Sequence, residues 1–113
     1  MNADDLNSPF LPFGPKADRE YGSIQLHHDG DLPGELPFRY SRFVVAPGNT
    51  SRLDQHEVLE VWVVLSGNGT LRVGGIESRV TAGDVVHFRP MRSHQVTNDG
   101  PGNLEVFSFW WKG

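Results

Sequence analysis

From Gly22 onward, apolar and polar residues alternate in short runs, and each run ends at a turn signal. Residues 38–46 (FRYSRFVVA) form the first such run and stop at Pro47-Gly48. Residues 58–65 (VLEVWVVL) are rich in β-branched and aromatic side chains and stop at Ser66-Gly67-Asn68-Gly69. A short run over 70–73 meets Gly74-Gly75, a two-residue hairpin signal, and 76–80 returns before Ala82-Gly83-Asp84. Runs over 85–88, 94–97 and 104–111 (LEVFSFWW) complete the set. Period-two alternation bounded by Gly, Pro and Asn predicts strands and hairpins. Nowhere does an i, i+3, i+4 apolar stripe run long enough for a helix. Many short strands at regular spacing predict an all-β sandwich or barrel.

Composition adds to this picture. The chain has 113 residues, a size that suits one domain with one core. Thirteen Gly and eight Pro fit a fold with many turns. The first residues, with Pro9, Pro12, Gly14 and Pro15, can form neither a continuous helix nor a central strand. Residues 1–21 are therefore expected to be an arm, whose Phe10, Leu11 and Phe13 can pack on a neighbouring surface, and 22–113 the domain proper. Net charge is −4 and the ten basic residues are scattered, so no nucleic-acid partner is expected. No apolar run is long enough to span a membrane, and no export signal is evident, so a cytoplasmic location is expected. The absence of cysteine excludes disulfides, thiolate metal sites and cysteine nucleophiles.

The candidate chemistry lies in the stretch 54–62 (DQHEVLEVW). If it is extended, Asp54, His56, Glu60 and Trp62 share one face of a strand. Two carboxylates and an imidazole on an apolar strand are costly to bury unless something compensates them. A divalent cation is the simplest compensation, because all three groups are competent ligands. His94 opens a later strand and completes the set if that strand lies across the barrel.

Two spacings then carry a resemblance. Gly48, Asp54-Gln55-His56, Glu60 and Gly67 resemble the first motif of the cupin superfamily (Gly, five residues, His-x-His, three or four residues, Glu, six residues, Gly). Gly83, Arg89-Pro90-Met91, His94 and Asn98 resemble the second (Gly, five residues, Pro-x-Gly, two residues, His, three residues, Asn). Asp54 stands where the first His belongs, and Arg89 and Met91 replace the Pro and Gly. The resemblance implies a double-stranded β-helix (jelly-roll) barrel of two antiparallel sheets. It further implies one divalent metal ion held by Asp54, His56, Glu60 and His94. With two carboxylates among the ligands, Fe²⁺ or Mn²⁺ is expected, and Zn²⁺ stays open. Family members of this size imply a homodimer.

Other residues are read beside their plainer alternatives. Trp62 shares the ligand face, as pocket wall or core. Tyr40 and Arg42 share a parity on the preceding strand, and an inward Arg would suit an anionic substrate. Phe107, Phe109, Trp110 and Trp111 are read as core or dimer interface, His27-His28 as surface, and His87 as outside the ligand set. The expected function is metal-dependent chemistry on a small polar molecule, by a dioxygenase, an isomerase or a related enzyme. The alternative is a non-catalytic module that binds a small molecule with a structural metal or none.

Overall fold

A computed structural model describes residues 8–14, 24–30, 32 and 35–112, with the backbone alone for 24–29. The strands are β1 (Ile24–Gly30), β2 (Arg39–Val45), β3 (Leu59–Ser66), β4 (Asn68–Val73), β5 (Ile76–Thr81), β6 (Val85–Phe88), β7 (His94–Thr97) and β8 (Leu104–Trp111). The described residues contain no helix, and so none long and apolar enough to cross a membrane. Seven of the strands fall on the runs that patterning predicts. The eighth, β1, has no such run, and the side chains of its His27 and His28 lie outside the described residues.

One sheet has five strands in the order β1-β2-β8-β3-β6, and the other three in the order β5-β4-β7. Every pairing is antiparallel. The chain changes sheet between β3 and β4, β5 and β6, β6 and β7, and β7 and β8, which makes the expected jelly roll.

Alternation sends one side-chain set of each sheet inward. Phe43, Val45, Trp62, Val64, Phe88, Leu104 and Val106 from the larger sheet meet Leu71, Val80 and Val96 from the smaller. Gly67 makes the first crossing in a single residue. Its φ of +84° is left-handed, and a Cβ there would lie 2.5 Å from the Asn103 carbonyl oxygen. Only glycine fits both demands. Asn98, fully buried, closes the last crossing by donating to the Val45 and Gly102 carbonyls and accepting from the Gly100 N–H. The motif's final Asn is thus a backbone clasp.

The outer face of the larger sheet is also partly covered. Tyr40, fully buried, donates its hydroxyl to the Pro12 carbonyl and meets the Phe13 ring edge-on at 5.2 Å. The Arg42 guanidinium stacks 4.6 Å over that same ring. Residues 12 and 13 thus lie on the sheet, while Phe10 is 81% exposed.

Candidate metal centre

The centre forms where one row of each sheet meets the other. Cross-strand partners share a face. On the larger sheet, the pairs Arg39–Trp110, Trp110–Glu60 and Glu60–Phe88 make one inward row. On the smaller sheet, Val73 pairs with both Ile76 and His94, and an isolated bridge joins His94 to Asp54. Glu60 Oε1 and His94 Nε2 bring the rows together, 3.2 Å apart.

Each side chain reaches its place for a local reason. Glu60 and Trp62 alternate inward along β3. Asp54 and His56 do not belong to that strand, which corrects the expectation of one extended face over 54–62. β3 begins only at Leu59, and the preceding segment is tied instead to β7 by Asp54 N–H to His94 O (3.0 Å) and His94 N–H to Asp54 O (2.9 Å). The turn before β7 holds it too: Met91 N–H donates to the His56 carbonyl, and Gln55 Nε2 donates to the Met91 carbonyl at 2.7 Å. That turn closes by Arg92 N–H to Arg89 O at 3.1 Å, with Met91 at φ +65°. Pro90 followed by a left-handed residue is the pattern of a type II turn. Losing the motif's glycine has not changed the turn, because Met91 takes up the strained conformation.

The ligand atoms of Asp54, His56 and His94 all lie within 4.8 Å of one another. Glu60 stands outside that trio and joins it through His94. Exposure falls steeply across the four side chains: 46% for His56, 27% for Asp54, 11% for Glu60 and 2% for His94. Asp54 also touches the Arg52 guanidinium at 3.4 Å.

The hydrogen bonds leave a specific gap. Glu60 Oε2 accepts from Trp62 Nε1 (2.9 Å) and from Ser108 Oγ (2.6 Å). His94 Nδ1 donates to the Arg92 carbonyl at 3.1 Å, which leaves the Nε2 lone pair pointing inward. Glu60 Oε1 and His94 Nε2 are both buried without a hydrogen-bond partner, facing each other. Two lone pairs at that distance repel unless a proton or a cation lies between them. An oxygen and a nitrogen each ~2.1 Å from one divalent ion sit roughly 3.0–3.4 Å apart. The donor set and its spacing therefore fit a metal ion. Phe88 backs the imidazole, stacked on His94 at 4.1 Å, and Trp62 meets it edge-on at 5.4 Å.

Without an ion, the two groups shift each other. Burial pushes the Glu60 carboxyl up, but the contacts from His94, Ser108 and Trp62 outweigh it and hold it below its ordinary 4.5. Burial pushes His94 down, but the Glu60 carboxylate outweighs it and raises the imidazole above 6.5. A depressed carboxylate stabilises the fold above 4.5 and is lost as pH falls; a raised imidazole stabilises it below 6.5 and is lost as pH rises. Metal-free protein is thus expected to melt highest between pH 4.5 and 6.5. Bound metal requires neutral His94, so added metal should raise the melting temperature most above that window. Parallel melting curves with and without chelator check this; the same pH optimum in both would contradict it.

The other expected residues are placed as follows. Trp62 is at the centre, buried, as one of the donors to Glu60. Tyr40 and Arg42 are not: both lie on the outer face, under the arm. The parity on β2 is the reverse of the expected one, so Arg39 and Ser41 face inward. His87 is exposed on the outer face of β6. Phe107, Phe109 and Trp111 lie half-buried on the outer face of β8, whereas Trp110 is on the inner face beside Glu60. Ser108 is a member of the centre that sequence reasoning misses. Its signal is a lone hydroxyl among the inward positions Leu104, Val106, Ser108 and Trp110. Ser108→Ala should weaken metal binding about 10–100-fold, since supporting hydrogen bonds to ligands carry that weight. Chelator competition measures it, and unchanged affinity would show that Trp62 alone orients the carboxylate.

Fold and centre together define a jelly-roll barrel with a carboxylate–histidine cluster inside one end. The Cupin domain family matches residues 41–110, and the chain belongs to it. It is 34% identical over 70 residues to Auxin-binding protein 1 of Arabidopsis thaliana, covering 54% of this chain and 35% of that one. It is 30% identical over 70 residues to the Oxalate-binding protein of Thermotoga maritima, covering 61% and 58%. The match thus spans only about a third to just over half the length of these curated relatives. A cupin 2 conserved barrel domain protein from Salinispora arenicola superposes with a TM-score of 0.73 at 30% identity, covering 84% and 81% of the two chains.

Proposed function

We propose that the chain binds one divalent metal ion through Asp54, His56, Glu60 and His94 and performs metal-centred chemistry on a small polar molecule, of the dioxygenase or isomerase type. The facing pair of orphaned atoms, Glu60 Oε1 and His94 Nε2, carries this reading. Nothing else in the described structure offsets the burial of those two lone pairs. With neutral imidazoles the four ligands bring a charge of −2, which a divalent ion balances. Fe²⁺, Mn²⁺ and Zn²⁺ all suit the donor set. Such an ion would supply Lewis acidity or, for iron, a place for dioxygen. The protein's own part is to fix Glu60 by two donors, keep His94 in one tautomer, and shield both with Phe88 and Trp62. His56 and Asp54, the most exposed members, face the side from which a molecule enters.

Titration of Fe²⁺, Mn²⁺ and Zn²⁺ into chelator-stripped protein tests the proposal. One ion per chain is expected for at least one of the metals, with a smaller loss of affinity in Asp54→Ala than in variants of Glu60 or His94. Wild-type affinity in Asp54→Ala would limit Asp54 to orienting its neighbours.

A second reading, a binding module without turnover, draws on the Asp54–Arg52 contact, which engages a carboxylate that would otherwise serve the ion, and on the two relatives named as binding proteins. Oxalate binding without consumption of oxalate or dioxygen would favour it. We also assign the outer face around Phe107, Phe109 and Trp111 to a homodimer; sedimentation at monomer mass would exclude that.

A further inference from the structure

We infer that the ligand of this centre is a carboxylic acid with a flat apolar body, lying along the row Arg39–Trp110–Glu60. The inference rests on the metal-centre reading and adds the class of molecule. Glu60 is bracketed on its strand row by two aromatic side chains, and they differ in state. Phe88 is buried and committed, stacked on His94 and edge-on to Trp62 at 4.9 Å. Trp110 is only half-buried, and among the described residues it has no ring contact and no partner for its indole N–H. A large flat surface beside a buried carboxylate, left without a neighbour, suits a planar apolar group.

Arg39 lies next in the row, cross-strand from Trp110, exposed and inward by register. A guanidinium is the side chain best matched to a carboxylate. Adjacent strands are ~4.8 Å apart, so Arg39 and Glu60 are roughly 10 Å apart across the intervening β8. That is about the length of an arylalkanoic acid. Its carboxylate would rest on Arg39 and its ring on Trp110, with the adjoining carbons presented to Glu60 and His94. A small diacid such as oxalate would fill the ion's side of the centre but leave Trp110 uncovered.

Calorimetric titration of metal-loaded protein with 3-phenylpropionate, propionate and 3-phenylpropanol tests this, with the metal content of each sample measured alongside. The ring and the carboxylate are each expected to contribute about tenfold or more in affinity. Trp110→Leu, which keeps an apolar contact but no flat face, should erase most of the preference for 3-phenylpropionate over propionate. Arg39→Gln should erase most of its preference over 3-phenylpropanol. Both variants should keep the wild-type metal content. Equal binding of the three compounds, no binding of the aromatic acid, or ratios unchanged in the variants would overturn the inference. Absence of stoichiometric metal in the wild-type sample would instead remove the metal reading, and the same ratios measured on that sample still judge Arg39 and Trp110.

Discussion

His94→Ala leaves the purified protein with background metal, and Glu60→Gln does nearly the same while disturbing the fold less. The reason is the shape of the gap between these residues. The His94 imidazole has its Nδ1 committed to the Arg92 carbonyl and offers Nε2 in one direction only. Glu60 has its Oε2 committed to Trp62 and Ser108 and offers Oε1 in return. Removing either partner removes the most buried donors of the centre, leaving Asp54 and His56 at its exposed edge. Supporting hydrogen bonds around metal ligands are worth 10–100-fold, so loss of a buried ligand should cost at least ~100-fold in affinity. Glu60→Gln is the cleaner variant, since its amide oxygen can still accept from Ser108 and only the anionic oxygen is lost. Metal content by elemental analysis, with circular dichroism for the fold, reads the effect. Stoichiometric metal in both variants would move the site elsewhere.

Gly67→Ala has the largest expected effect on stability. The left-handed conformation costs a residue with a Cβ about 1–2 kcal/mol, and here the added carbon also meets the Asn103 oxygen at 2.5 Å and Leu104 Cα at 2.9 Å. Both are backbone atoms and cannot swing aside, so overpacking adds roughly 1–3 kcal/mol. Together these predict a loss of about 2–5 kcal/mol and a fall in melting temperature of the order of 10 °C. Gly83→Ala supplies the control. Gly83 has φ +95°, and a Cβ there would meet nothing within 4 Å, so it should show the conformational cost alone. Equal losses in the two variants would mean that the crossing at Gly67 tolerates a wider backbone than it shows.

Seven strands are legible in the sequence because turn signals bracket them and their inward and outward sets differ. The pairing of Glu60 with His94 across two sheets follows from the motif spacing alone. Parity on β2 is not legible. In that strand Tyr40, Val44 and Val45 are all buried, because residues 12 and 13 cover part of the outer face while the core covers the inner one. With both faces covered, apolar residues no longer mark the inside, and a slip of one residue exchanges Arg39 for Arg42. Trp110 is hidden for a similar reason, since Trp110 and Trp111 are identical in type and point to opposite faces.

The segment 54–58 misleads in another way. Its even spacing reads as a strand, yet its hydrogen bonds run to His94 and to the turn at Met91, contacts between residues far apart in sequence. Met91 itself shows why a motif departure can be harmless to the backbone. The left-handed position is enforced by the bonds to His56 and Gln55 on one side and the Arg89–Arg92 closure on the other, so a residue other than glycine is held there at a cost of the order of 1–3 kcal/mol.

Elemental analysis of protein purified without a polyhistidine tag or added metal bears most directly on the metal centre. About one equivalent of a single divalent metal per chain is predicted, released by chelator and regained on dialysis against that ion. Metal at background level, with no ion taken up on titration of correctly folded protein, would leave the Glu60 and His94 lone pairs facing each other over nothing but a shared proton, and would contradict that centre.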